Sequence, residues 1–237
     1  MPEPLRMPMI VTATAQEAAG RAATVLANHI VGARASRGRA LVAVSGGSTP
    51  WLMLDDLATR ALPWNDLHIV QVDERMAPDG DPDRNLTHLR KCLGGVAAQI
   101  HPIDAGNDDP EAAATAYAAE LAALARARPP LPPVLDLVHL GLGEDGHTAS
   151  LVPGDPVLEV VDVGVAATGV YGGHRRVTLT YPVLAAARRV LWLATGEGKA
   201  AMVARLVAGD RTIPAGRVSS ARALLVVDEA AASALAR

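Results

Sequence analysis

VLDLVHLGLGEDGHTAS, residues 134–150, is an apolar run that breaks into a loop of glycines, carboxylates and one histidine. Its first half, 134–140, is apolar on both faces, as a strand buried in a parallel sheet is. Gly141, Gly143 and Gly146 then spell G-x-G-x-x-G. That pattern binds a dinucleotide only where a helix opens directly after it and turns its N-terminus to the pyrophosphate. Here Glu144 and Asp145 would put two negative charges into the anion cradle. Pro153, Gly154 and Pro156 leave room for about one helical turn. The stretch reads instead as a loop whose glycines free the backbone to bring Asp145 and His147 together at a strand end. An imidazole accepts a proton near neutral pH, and a neighbouring carboxylate can orient the ring and support its charged form. On spacing alone, a surface turn carrying an ordinary histidine is an equal alternative.

Outward from this stretch, short apolar runs alternate with helical patterns. Strands are expected at 41–45, 67–73, 134–140, 176–181, 190–195 and 223–228. Helices are expected at 15–34, 50–60, 110–127, 197–208 and 228–236. The helix from 110 has a capping Asp109, Pro110 in its first turn, and Pro129-Pro130 to end it. The alternation predicts an α/β fold, a doubly wound, mostly parallel sheet flanked by helices, with room for a small subdomain. No internal repeat or convincing linker divides the chain, so residues 1–237 are expected to form a single domain.

Composition narrows the function classes. Half of the 237 residues are hydrophobic, with no phenylalanine, so Ala, Val and Leu must fill the core. A net charge of −3 carries no basic excess of the kind that nucleic acid or an anionic membrane would require. Cys92 is the one cysteine, which excludes an intrachain disulfide and a cysteine-based zinc site. The histidines at 29, 68, 88, 101, 139 and 174 have no metal-ligand spacing, and His139, inside a strand, is expected to be a core residue. Without an apolar leader or a long apolar run, a cytoplasmic protein is expected.

In a doubly wound sheet the ligand lies beyond the carboxyl ends of the strands. Three loops should meet there. Besides 141–150 they are SGGSTP, 45–50, and DERMAPDGDPDRN, 73–85. The backbone N–H groups of Gly46, Gly47, Ser48 and Thr49 would converge at the start of a helix near Pro50 and favour an anion. This is not the Walker type, since no Gly-Lys-Ser/Thr follows. Lys199, in GEGKA, and Arg175 or Arg176 are candidate cations for the same anion, and together with SGGSTP they read as a monophosphate pocket. Ser45, Ser48 and Ser150 lack the G-x-S-x-G elbow of a serine nucleophile.

Taken together, SGGSTP (45–50), DER (73–75), RNL (84–86), LGLGEDGHTASLVPG (140–154), RVTLTYPVLAAARRV (176–190), GEGKA (196–200) and PAGRV (214–218) resemble the 6-phosphogluconolactonases. That family lies within a larger group that includes the glucosamine-6-phosphate isomerases/deaminases. The segments follow the family's order and cover nearly the whole chain. The resemblance implies hydrolysis of 6-phospho-D-glucono-1,5-lactone in the pentose phosphate pathway, on an isomerase-like α/β fold, with no cofactor and no metal. It implies His147 as general base, with Asp145 or Asp73 orienting it. It implies phosphate held by Gly46, Gly47, Ser48, Thr49, Arg176 and Lys199, and a substrate cleft lined by Asp73, Arg75 and Asn85. The implied partner is a small-molecule sugar phosphate, with neither nucleic acid nor membrane, and with the chain a monomer or homodimer. Where the family often reads Ser-Asn, this chain has Arg84-Asn85, making Arg84 a further candidate cation. The deaminase branch carries a glutamate five residues after the histidine. Here that position is Val152, which favours the lactonase. A sugar-phosphate sensor, the remaining alternative, would usually carry a helix-turn-helix for which residues 1–15 are too short.

Overall fold

The computed structural model describes residues 7–106, 108–128, 130–218 and 221–235. Pro129, expected to help end a helix, and Ala236, the end of the expected C-terminal helix, lie outside the described residues.

Seven parallel strands form the central sheet. They are β1 (Met9–Thr12), β2 (Ala40–Val44), β3 (Leu67–Gln71), β5 (Gln99–His101), β6 (Leu137–Leu140), β9 (Val190–Ala194) and β10 (Ala223–Asp228). Their spatial order is β1-β10-β9-β6-β2-β3-β5. A smaller antiparallel sheet holds β4 (Asp73–Arg75), β8 (Arg176–Leu179) and β7 (Val165–Ala167) in the order β4-β8-β7. It fills the place that the sequence left for a small subdomain.

The main sheet is covered on both faces, and its central strands β2, β6 and β9 are buried at every position. Ala40, Val42, Val44, Leu67, Ile69, Leu191 and Leu193 face one core, together with α1 (Ala15–Arg37), α2 (Ser48–Ala58) and α3 (Asn85–Leu93). Leu41, Ala43, Val70, Val138, Leu140 and Trp192 face the other. That second core also takes in α4 (Pro110–Ala125), α5 (Tyr181–Ala186), α6 (Ala200–Val207) and the small sheet. The division is the period-two alternation of a strand, expressed as two cores. In place of phenylalanine the tightest packing uses Trp192, Met53 and the branched aliphatics. No helix among the described residues is long and apolar enough to cross a membrane.

Helix ends follow local chemistry. Thr14 accepts from the Glu17 N–H to start α1, which runs on past the expected residue 34 to a Gly38 cap in the left-handed region, φ 77°. Asp109 accepts from the Ala112 N–H at the start of α4, which closes on a left-handed Arg126 before the proline pair is reached. Over the described part of the expected helix 228–236, residues 228–235, no helix forms. The Asp228 carboxylate accepts from the backbone N–H groups of Gly196 and Ala231, and the chain leaves β10 in a succession of turns.

Two connections run outward from β2 to β3 and β5, and the chain then crosses back to β6 and continues to β9 and β10. The direction of winding therefore reverses between β2 and β6. Crevices form at such a reversal, beyond the carboxyl ends of the strands.

Candidate active site

The loops that leave β2, β6 and β9, three adjacent strands, line one cleft of about 310 Å³ at this reversal, and β4 and β8 close its side. It gathers Gly46, Gly47, Ser48, Thr49, Asp73, Arg75, Asn85, His147, Arg176 and Lys199, residues that span most of the chain.

The positive face of the cleft begins at α2. This helix starts at Ser48, two residues before the expected Pro50, because Gly47 turns the chain through φ 130°. Gly47 is the N-cap and has no side chain to satisfy the first N–H groups, while Pro50 carries none. The N–H groups at the start of the helix, with the positive end of its dipole, thus favour an anion. The Thr49 hydroxyl is fixed 2.6 Å from that of Thr195. Beneath the loop, the Ser45 N–H is directed at His139 Nδ1 across 3.3 Å. His139 is wholly buried, and burial drives it down to about 3, so it is neutral and acts as an acceptor.

Arg75 and Arg176 stand directly opposite one another in the β4–β8 pair. Two like charges at such close quarters repel unless an anion lies between them. Arg176 is 7% exposed, its Nη2 donates to the Tyr171 carbonyl, and its Nε is buried without a hydrogen-bond partner among the described residues. Burial works to lower the Arg176 guanidinium below its ordinary value. A buried, half-satisfied guanidinium that lines a cleft has the makings of an anion ligand. Arg175, the next residue, points to the opposite face of the strand and forks onto Glu111 of α4. Arg75 donates to Asn85 Oδ1 at 3.3 Å and to the Asp83 carbonyl, and Asn85 in turn donates to the Asp73 carbonyl. Lys199 Nζ lies 3.9 Å from Glu144 Oε1, at the end of a short 3-10 turn that leads into α6.

Arg84 does not join these cations. It is 3% exposed, does not line the cleft, and turns inward to Glu74 and the Ile103 carbonyl. The reason is Glu74, which is wholly buried and accepts from the backbone N–H groups of Asn85 and Leu86 at 2.8 Å each. Its carboxylate caps α3 from another element, and Arg84 supplies the balancing charge.

The loop after β6 holds the histidine. Gly143 N–H donates to the His147 carbonyl, and Ala215 N–H donates to that of Gly146. A Cβ at Gly143 would lie 2.1 Å from His147 Nδ1, and Gly146 adopts φ 85° against Ile213. Two glycines of the G-x-G-x-x-G pattern therefore serve the approach of a histidine, and no α-helix follows the loop before α5. Asp145 Oδ1 lies 2.6 Å from His147 Nδ1 and accepts from the His147 backbone N–H at 3.0 Å. Burial works to raise the Asp145 carboxyl, but its bonds with His147 and the charge there outweigh burial and hold it below its ordinary value. The carboxylate beside His147 is thus Asp145. Asp73 instead accepts from the Ser150 hydroxyl at 2.6 Å, and the Ser150 N–H meets the Thr178 hydroxyl.

Tyr171 was not expected from the sequence. Its hydroxyl lies 3.3 Å from Asp145 Oδ2, its ring meets the His147 ring edge-on at 5.4 Å, and the Arg176 guanidinium stands 5.0 Å from the ring centroid. The available signal was Gly172-Gly173, a two-residue turn of the hairpin type that implies a strand before β8.

The family model for glucosamine-6-phosphate isomerases/6-phosphogluconolactonase matches residues 13–227. A 6-phosphogluconolactonase of Streptomyces coelicolor is 39% identical over 236 residues, covering 91% of this chain and 90% of that protein. One from a Synechocystis species is 39% identical over 183 residues, 76% of each chain. Among solved structures, 6-phosphogluconolactonase from Trypanosoma cruzi superposes with a TM-score of 0.88 at 26% identity over 97% of both chains. With the family model spanning all three loops of the cleft, the chain belongs to the glucosamine-6-phosphate isomerase/6-phosphogluconolactonase family.

Proposed function

We propose that the protein is a lactonase that hydrolyses 6-phospho-D-glucono-1,5-lactone to 6-phosphogluconate in the pentose phosphate pathway, with His147 as its general base. The observation that carries the reading is the presence, in one cleft, of a carboxylate-oriented histidine and an uncapped helix terminus flanked by arginines and a lysine. The names of the relatives from Streptomyces coelicolor and Synechocystis support it.

The phosphate docks on the N–H groups of Gly46 to Thr49, on Arg176 and on Lys199, and this anchors the lactone beside His147. With Nδ1–H donated to Asp145, the imidazole keeps its lone pair on Nε2. Nε2 removes a proton from water as the water oxygen bonds to C1. Arg75, or N–H groups of the loop, stabilise the tetrahedral oxyanion. The bond from C1 to the ring oxygen then breaks, and His147 returns the proton to that oxygen, giving the open-chain acid. Residues 1–237 act as one domain in this scheme, since the cleft needs the loops of both sheets and the two sheets share one core.

Lactone generated in situ and followed above its spontaneous decay tests the proposal, with glucosamine 6-phosphate assayed in parallel. The expected result is rapid lactone loss and no ammonia from glucosamine 6-phosphate. Ammonia release without lactone loss would place the protein in the deaminase branch and overturn the proposal.

A further inference from the structure

We propose that Tyr171 is a positioning residue of this site, its hydroxyl steadying the Asp145–His147 pair while its ring steadies the Arg176 guanidinium. The proposal rests on the reading of His147 as base and Arg176 as phosphate ligand.

The two oxygens of Asp145 have separate tasks. Oδ1 takes both bonds from His147, from the ring and from the backbone. Oδ2 lies 3.3 Å from the Tyr171 hydroxyl, which has no other hydrogen-bond partner among the described residues. A carboxylate anchored through one oxygen only can swing about its Cβ–Cγ bond, and a donor on the second oxygen opposes that motion. The Tyr171 ring adds a second restraint, since the His147 ring packs edge-on against it at 5.4 Å and an interplanar angle of 67°. On Arg176 the same ring lies 5.0 Å from the guanidinium carbon, within cation–π range, and the Tyr171 carbonyl accepts from Nη2.

The backbone makes these contacts rigid. Tyr171 and His174 exchange backbone hydrogen bonds around Gly172 and Gly173, both at positive φ, 59° and 86°. This is the two-residue hairpin turn whose twist matches its strands, and it fixes Tyr171 relative to Arg176 two residues beyond the turn's close. His147 and Arg176 come from different elements and line the cleft, whereas Tyr171 touches both and does not itself line it. One side chain therefore sets the position of the base relative to the phosphate ligand.

Tyr171→Phe and Tyr171→Leu, compared with wild type in lactone hydrolysis across pH, separate the two contacts. Tyr171→Phe keeps the ring and loses the hydroxyl. Its kcat is expected to fall about three- to tenfold with KM within about twofold, the effect of one lost hydrogen bond. The acid limb of its kcat/KM profile should move to higher pH, because an Asp145 relieved of the hydroxyl supports the charged imidazole more strongly. Asp73, Arg75, Arg176, Lys199 and Glu144, the other charged groups around the cleft, are unchanged in these variants, so the movement reports on the Tyr171 hydroxyl. Tyr171→Leu should add a rise in KM of about two- to fivefold through loss of the ring under Arg176. In an Asp145→Asn background, Tyr171→Phe should cost no further kcat. A Tyr171→Phe enzyme with wild-type kcat and profile overturns the proposal while leaving the lactonase reading intact. A wild-type protein that does not accelerate lactone loss overturns both.

Discussion

His147 and Arg176 are each defined by what lies one step away from them. Asp145 takes the Nδ1 side of His147, which leaves Nε2 to serve as the proposed base. Arg175 and Arg176 are adjacent, so an extended chain sends them to opposite faces, but the alternation alone does not say which of them lines the cleft. The answer depends on long-range placement: Glu111 on α4 claims Arg175, and the β4–β8 pairing sets Arg176 opposite Arg75 in the cleft. Replacing Arg176 with Gln is expected to raise KM for the phosphorylated lactone tenfold or more, as the loss of a charged, forked ligand should. Arg175→Gln should leave KM within about twofold. Steady-state kinetics on the two variants decides the matter, and equal effects would contradict the assignment. Arg84 shows where residue-level reading fails. A cation next to a binding loop suggests a ligand contact, yet this one neutralises a buried carboxylate that lies ten residues earlier in sequence.

Glu74 is also the reason that an element was illegible. Helix α3 has no capping side chain of its own at Arg84. Its first N–H groups are satisfied from β4 instead, by a carboxylate that also accepts from the Arg75 N–H and from Gln71 Nε2. Glu74→Gln replaces one acceptor oxygen with an amide that faces donors. The expected cost is about 3 kcal/mol, a drop in Tm of roughly 6–12 °C for a chain of this size. A thermal unfolding midpoint within about 2 °C of wild type would show that the cap is unimportant. The strands that sequence reading missed share a different cause. β1, β4, β5 and β7 have three or four residues each, too few for a periodicity to show, and lie at sheet edges. The strands of four or five residues at the centre of the sheet, buried on both faces, were plain from their largely apolar runs.

At the scale of the molecule, the architecture followed from the alternation of buried strands and helices, and the place of the cleft followed from it in turn. A parallel sheet whose winding reverses between β2 and β6 must open a crevice where SGGSTP and GLGEDGH emerge side by side. Both segments were recognisable as chemistry-bearing loops before their neighbourhood was known. Tyr171 was not, because its role comes from a hairpin that brings it against residues from two other segments. In the proposed function this cleft hydrolyses a phosphorylated lactone through His147. The most direct test is the rate of 6-phosphogluconolactone decay above background for wild type and for His147→Ala, with Tm measured alongside. In the variant kcat/KM is expected to fall about 10²- to 10⁴-fold while Tm stays near wild type. A His147→Ala protein that hydrolyses the lactone at the wild-type rate would contradict the proposal.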